Sequence, residues 1–189
     1  MATVVLAVVC CGLYPLAVYG VGQLLFRDKA NGSLLVENGA VRGSRLIGQQ
    51  FTGEKYFHSR PSSAGNNGTA YDAEYSGGSN LGPTSQKLRD TIAQNIADYR
   101  TQNGLGTNEP VPADAVTASA SGLDPHISVR NAEQQTARVA RVRGVTVAQV
   151  EALVRANVDA PSLGLLGEPG VNVLRLNLAL DGPAAEAKP

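Results

Sequence analysis

From Ala2 to Phe26 the chain reads ATVVLAVVCCGLYPLAVYGVGQLLF, without one ionisable carboxylate, amine or guanidinium. As a helix rising 1.5 Å per residue, this stretch reaches roughly 37 Å, against a bilayer hydrocarbon core of about 30 Å. One membrane span is therefore predicted, and it constrains everything that follows. A single span cannot enclose an ion path by itself. It can anchor a domain, or pack against the helices of something larger. The apolar run exceeds an ordinary signal-peptide core, no basic segment precedes it and no small-x-small cleavage site stands out, so a retained helix is expected. The abrupt start also leads to the expectation of a longer natural N-terminus.

All 16 Lys and Arg and all 16 Asp and Glu follow Phe26, and their charges cancel. That balance argues against nucleic-acid binding, which draws on a basic surplus. Cys10 and Cys11 both lie inside the apolar run, so the extramembrane part can form no internal disulfide. Arg27 and Lys29 flank the span on its C-terminal side, and the positive-inside rule read literally would place the following domain in the cytoplasm.

Gly12, Tyr19 and Gln23 recur at spacings of seven and four, one stripe of a helix. A glycine permits close backbone approach, and an amide facing lipid needs a partner helix or the interface to receive it. This stripe is the predicted partner-packing face. Pro15 removes one backbone hydrogen bond and should bend the helix.

After the span a single mixed α/β domain is predicted over residues 27–180, with a modest sheet and a disordered tail over 181–189. Leu88, Ile92, Ile96 and Tyr99 form one apolar stripe of a helix beginning near Thr84 and leaving at Gly104. A second helix is expected from Ser128 to about Arg143, with Val129, Ala132, Val139 and Ala140 inward and Arg130, Gln134, Arg138 and Arg141 as an outer cationic ridge. A third should start at Thr146 and bury Val147, Val150 and Val154. Strands are predicted over Arg45–Phe51, Lys55–Ser59 and Ala115–Ser119. Leu174, Leu176, Leu178 and Leu180 alternate with other residues, so Val171–Leu180 also reads as a strand.

The stretch from Arg60 to Pro83 is rich in Gly, Ser and Asn with no apolar period. Ser76-Gly77-Gly78-Ser79-Asn80 could form an anion-binding nest of backbone amides or, more simply, a plain loop. No phosphate-binding G-x-x-x-x-G-K-[ST], nucleophile-elbow G-x-S-x-G or zinc-protease H-E-x-x-H motif is present. His58 and His126 are the two histidines, and His126 after Asp124-Pro125 reads as a turn residue. No catalytic residue and no metal-ligand set is singled out. The chain is expected not to be an enzyme on its own.

Leu13-Tyr14-Pro15, Ala30-Asn31-Gly32-Ser33, Ile47-Gly48-Gln49, Tyr56 to Ser62 (YFHSRPS), Ser76 to Asn80, Pro112-Ala113-Asp114, Val116 to Pro125 (VTASASGLDP) and Asn172 to Asp181 (NVLRLNLALD) together resemble the C-subunit family of the Kdp-type potassium-transporting ATPase. The resemblance implies a bacterial plasma-membrane complex for potassium uptake. Its implied partners are a P-type ATP-hydrolysing subunit, a channel-like potassium-binding subunit and a very small fourth chain. It implies a non-catalytic role in assembly, and as a catalytic chaperone that raises the pump subunit's affinity for ATP. It also implies an extracytoplasmic domain, which ATP would not reach. The family's proposed nucleotide contact is a Gln, and the matching residue is Gln149 in Val145-Thr146-Val147-Ala148-Gln149. The same residues spell a capping box, Thr146-x-x-Gln149, which the residues themselves favour. The alternative function carried forward is a membrane-tethered module that binds a small anion or nucleotide.

Overall fold

A computed structural model describes residues 1–37, 39–65 and 69–182. The chain divides into two compact units, Met1–Leu46 and Ile47–Pro189.

In the first unit the apolar run forms one continuous helix, Ala2–Leu25, with none of its most apolar stretch buried inside the protein. It is built from α1 (Ala2–Val8), a wider π turn (Val9–Leu13) and α2 (Tyr14–Leu25). The Tyr14 N–H donates to the Val9 carbonyl, five residues back. Pro15 lies just beyond, with no N–H and a ring that crowds the carbonyl four residues earlier, and the wider turn is one way a helix absorbs that conflict. A single turn, α3 (Arg27–Ala30), leads into a hairpin of β1 (Leu34–Glu37) and β2 (Ala40–Ser44). The expected strand over Arg45–Phe51 is absent. The pairing lies upstream, where Gly39 and Gly43 take positive φ and a bulge interrupts the register between Leu35 and Val36.

The second unit contains α4 (Gln86–Asn103), α5 (Ala113–Val116), β3 (His126–Ser128), α6 (Val129–Arg143), α7 (Val147–Ala156), β4 (Val158–Asp159), β5 (Gly170–Asn172) and α8 (Val173–Asp181). The sheet runs β3-β5-β4, antiparallel throughout. The core joins Phe57, Ile127, Ala132, Val139, Val150, Val154, Val171, Leu176 and Leu180. Side-chain caps start three helices: Ser85, one residue past the expected Thr84, opens α4, Ser128 opens α6 and Thr146 opens α7, while Gly104 and Gly144 close the first two in the left-handed conformation.

Several expectations are corrected. Val171–Leu180 is a strand only as far as Asn172. Asn172 then caps α8 by accepting from the Arg175 N–H, and Val173, Leu176, Asn177 and Leu180 share the buried face at helical spacing. Alternating leucines mimicked a strand, but Leu lacks the β-branching that strands favour and forms helix readily. Asp181, assigned to the tail, ends α8 and pairs with Arg143 at 2.8 Å. Residues 183–189 of that tail lie outside the described residues. Ala115–Ser119 forms no strand, because Pro112 starts the single turn α5 and buries Val116. Val147 is exposed, since α7 turns Val150 and Val154, with Leu153 beside them, towards the core. His126 is the first residue of β3 rather than a turn residue. Its Nε2 lies 3.0 Å from Asp159, which also accepts from Arg175 at 2.7 Å.

Arg138, expected on an outer ridge, is 3% exposed. The reason is the segment Glu54–His58, which overlaps the strand expected over Lys55–Ser59 but pairs with no strand among the described residues. Its backbone is satisfied by side chains instead. Asn177 accepts from the Phe57 N–H and donates to the Phe57 carbonyl, both at 2.9 Å. Gln135 does the same for His58, accepting its N–H at 2.7 Å and donating to its carbonyl at 3.1 Å. Arg138 donates to the carbonyls of Glu54 and Tyr56, and Arg143 to that of Lys55. An unpaired buried backbone group costs about 1–3 kcal/mol, so this lacing fixes the segment against α6 and α8.

Asn177→Ala removes both bonds to Phe57 at a fully buried site, and a loss of about 2–4 kcal/mol is expected in denaturant unfolding of the detergent-solubilised chain. A loss under about 0.5 kcal/mol, the size of an ordinary surface change, would contradict this. Burial holds the His58 imidazole below its ordinary value of 6.5, the nearby Arg138 charge adds to this, and the Gly53 carbonyl and Gln102 oppose it. The unfolded chain therefore binds the proton more readily, so the His58 contribution is present above about pH 6.5 and declines as pH falls towards the lowered folded value. Partial solvation keeps the slope below about 1.4 kcal/mol per pH unit. His58→Gln should flatten that part of the stability profile, and an unchanged acid slope would contradict the assignment.

Candidate functional site

Of the predicted packing face, Gly12 lies in the π turn, whereas Tyr19 and Gln23 lie four residues apart on the regular part of the helix. A Cβ placed on Gly12 would meet no atom within 4 Å, so this spot is open to a neighbouring backbone. Tyr19 is 66% exposed. Gln23 is different. Its amide makes a reciprocal pair with the Asn31 side chain, at 3.3 and 3.1 Å. The polar group that required a receiver finds one within the chain, where the helix ends.

Gln149 is at the third position of α7, in a complete capping box. Thr146 Oγ1 accepts from the Gln149 N–H at 3.3 Å, and Gln149 Oε1 accepts from the Thr146 N–H at 2.9 Å and from its hydroxyl at 2.9 Å. The amide oxygen is thus spent on α7 itself, and Gln149 lines neither of the two clefts described below.

The Ser76–Asn80 loop is docked onto the turn at Ser121. The Gly77 N–H donates to the Ser121 carbonyl at 2.9 Å, and the Ser76 hydroxyl donates to the same oxygen at 3.0 Å. A Cβ on Gly78 would fall 2.8 Å from the Ala120 carbonyl oxygen, so only glycine permits this approach. The Gly77 amide that an anion nest would use is already committed.

A polar cleft of about 340 Å³ opens between α4, α6 and the laced segment. Tyr99 donates to Asn131 Oδ1 at 2.9 Å, and Gln135 donates to the same oxygen at 2.8 Å. The Tyr71 hydroxyl, its pKa pushed up to about 12 chiefly by burial, donates to the Arg60 carbonyl at 2.7 Å. Arg60 pairs with Asp124 at 2.8 Å, while its Nε is buried with no hydrogen-bond partner. Most of these polar groups are thus engaged with one another. Among the described residues no group of three His, Cys, Asp or Glu could hold a metal ion. A second cleft of about 520 Å³ lies along the first half of α4, walled by Leu81, Leu88, Ile92 and Val116.

Sequence reasoning missed this polar cleft because its residues come from segments far apart in the chain. Tyr99 was visible as the last member of the α4 stripe, and His58 to Ser62 as part of a family motif, but nothing local brought them together. The hairpin was missed too, although Asn38-Gly39 is a turn dipeptide between apolar runs.

The chain matches, over residues 1–182, the sequence model of a family described as K+-transporting ATPase, c chain, KdpC. Relatives named potassium-transporting ATPase KdpC subunit include that of Mycobacterium bovis (strain BCG), 59% identical over 169 residues, covering 89% of this chain and 88% of the relative. That of Nitratidesulfovibrio vulgaris is 53% identical over 184 residues, covering 97% and 92%. That of Koribacter versatilis is 51% identical over 182 residues, covering 96% and 91%. Spanning nearly its whole length and agreeing with one apolar helix ahead of a mixed α/β domain, these matches place the chain in the KdpC family of potassium-transporting ATPase subunits.

Proposed function

We propose that this chain is a non-catalytic, single-span subunit of an ATP-driven potassium uptake complex in the bacterial plasma membrane. It supports assembly of the complex and, as a catalytic chaperone, raises the ATP affinity of the pump subunit. Its partners are a P-type ATP-hydrolysing subunit, a channel-like potassium-binding subunit and a very small fourth chain. The observation that carries the reading is the apolar helix, exposed along its length and open at Gly12, joined to a domain whose polar groups are largely engaged with one another. The domain lies on the extracytoplasmic side. ATP then acts through the pump subunit, and any effect of this chain on it travels through packed membrane helices. The Gln149 capping box supports this indirect route, because its amide oxygen serves α7 rather than a nucleotide.

Purification in mild detergent from potassium-starved cells should recover the chain with a P-type ATPase and a channel-like protein. Repeated recovery of the chain alone would overturn the proposal. Gly12→Leu keeps the span apolar while blocking close approach. The expected loss of about 1 kcal/mol of packing would lower co-recovery roughly fivefold, and unchanged co-recovery would remove Gly12 from the interface. Gln149→Ala should cost about 1 kcal/mol of stability and Gln149→Glu much less, with the ATP dependence of the complex unaltered in both. A weakened ATP response in Gln149→Glu at wild-type stability would instead indicate a nucleotide contact.

A further inference from the structure

We propose that the hairpin of β1 and β2 is itself a membrane element, seated with its apolar face in the interfacial zone of the bilayer that holds the span. The inference rests on the reading of Ala2–Leu25 as a membrane helix. Leu34 and Val36 point to one face of β1, and Val41 is the cross-strand partner of Val36. They are 47%, 61% and 60% exposed, whereas Leu35 and Glu37 on the other face are partly covered. A two-stranded hairpin with an uncovered apolar face is marginal in water, so this one needs a cover.

Three contacts fix the root of the hairpin at the end of the span. Asn31 folds back to pair with Gln23, two residues before the helix ends. The Ser33 N–H donates to the Asp28 carbonyl at 2.9 Å, and Arg45, just past β2, pairs with Asp28. Residues 1–46 accordingly form one compact unit, and the hairpin begins at the depth where the helix leaves the hydrocarbon. That zone is only several ångströms thick on each side.

Its chemistry matches the hairpin. Leu34, Val36 and Val41 offer aliphatic surface without hydrogen-bonding groups, continuous in kind with the exposed Leu24, Leu25 and Phe26. Arg27 and Lys29 lie in the intervening turn and take part in none of the ion pairs among the described residues, so they are placed to meet lipid phosphates. The Arg42 charge is matched by Glu37 at 3.3 Å. Aliphatic side chains at the boundary with cations beside them are the pattern of an interfacial anchor.

The test uses the full chain with Cys10→Ser and Cys11→Ser, reconstituted in phosphatidylcholine–phosphatidylglycerol vesicles. An environment-sensitive fluorophore is placed on a single cysteine at Val36, Val41, Glu37 or Leu16. With lipids brominated near the carbonyl end of the acyl chains, quenching at positions 36 and 41 is expected to exceed that at 37 by about threefold, with blue-shifted emission. Water-like emission at 36 and 41 with a quenched label at Leu16 would overturn the hairpin inference alone. Water-like emission at Leu16 as well would overturn the span and the hairpin together. Emission at 36 and 41 that becomes apolar only when the other membrane subunits are co-reconstituted would overturn it in favour of a protein cover.

Discussion

Between Glu54 and His58 the backbone leaves a turn and pairs with no strand among the described residues, and side chains of α6 and α8 supply the hydrogen bonds a strand would have supplied. Asn177 and Gln135 each present one carbonyl oxygen and one amide N–H to a single residue, copying the reciprocal bonding of a β ladder. Arg138 and Arg143 hold the intervening carbonyls. Phe57 is thereby fully buried in the core, while His58, Ser59 and Arg60 emerge along the polar cleft. Without these bonds neither the cleft wall nor the covered face of α8 would have a defined position.

The same arrangement explains how a guanidinium is tolerated inside a small domain. Arg138 is buried beside carbonyl oxygens, the side-chain oxygen of Asn103 and that of Gln135, so most of its donors are used. Charge-assisted bonds of this kind offset much of the desolvation that burial imposes. Near the sheet the ionisable groups also pair with one another. Arg60 meets Asp124, while His126 and Arg175 share Asp159. Burial alone would raise the Asp159 carboxyl, but its bonds from His126 and Arg175 leave it below the ordinary value. Arg60, Arg143 and Arg175 are thus each matched by a carboxylate within the domain.

What could be read from the sequence was what depends on local signals. The span, the helices capped by Ser85, Ser128 and Thr146, and the glycine stops at Gly104 and Gly144 all rest on residues within a few positions of each other. What could not be read depends on residues distant in the chain. Arg138 sits on α6 at a position that periodicity assigns outward, and only carbonyls more than eighty residues away turn it inward. Lys55–Ser59 reads as a strand, yet it begins in a turn and the partners of Phe57 and His58 are side chains. Alternating leucines from Leu174 to Leu180 satisfied two periods at once, and the Asn172 cap decided for the helix. The span's own polar residue calls for a hydrogen-bond partner, and Asn31, eight residues on, pairs with it.

Membership of the KdpC family and the laced domain together describe a subunit with one long apolar helix ahead of a domain whose irregular Glu54–His58 segment is fixed by side-chain hydrogen bonds. Those bonds make the Glu54–His58 segment part of the core rather than a loose loop. Amide hydrogen exchange of the intact chain at Phe57 and His58 measures this most directly. Opening free energies within about 1 kcal/mol of those in the middle of α6 are expected, as befits groups released only when the domain unfolds. Exchange at the rate of an open surface loop, with α6 still protected, would contradict it.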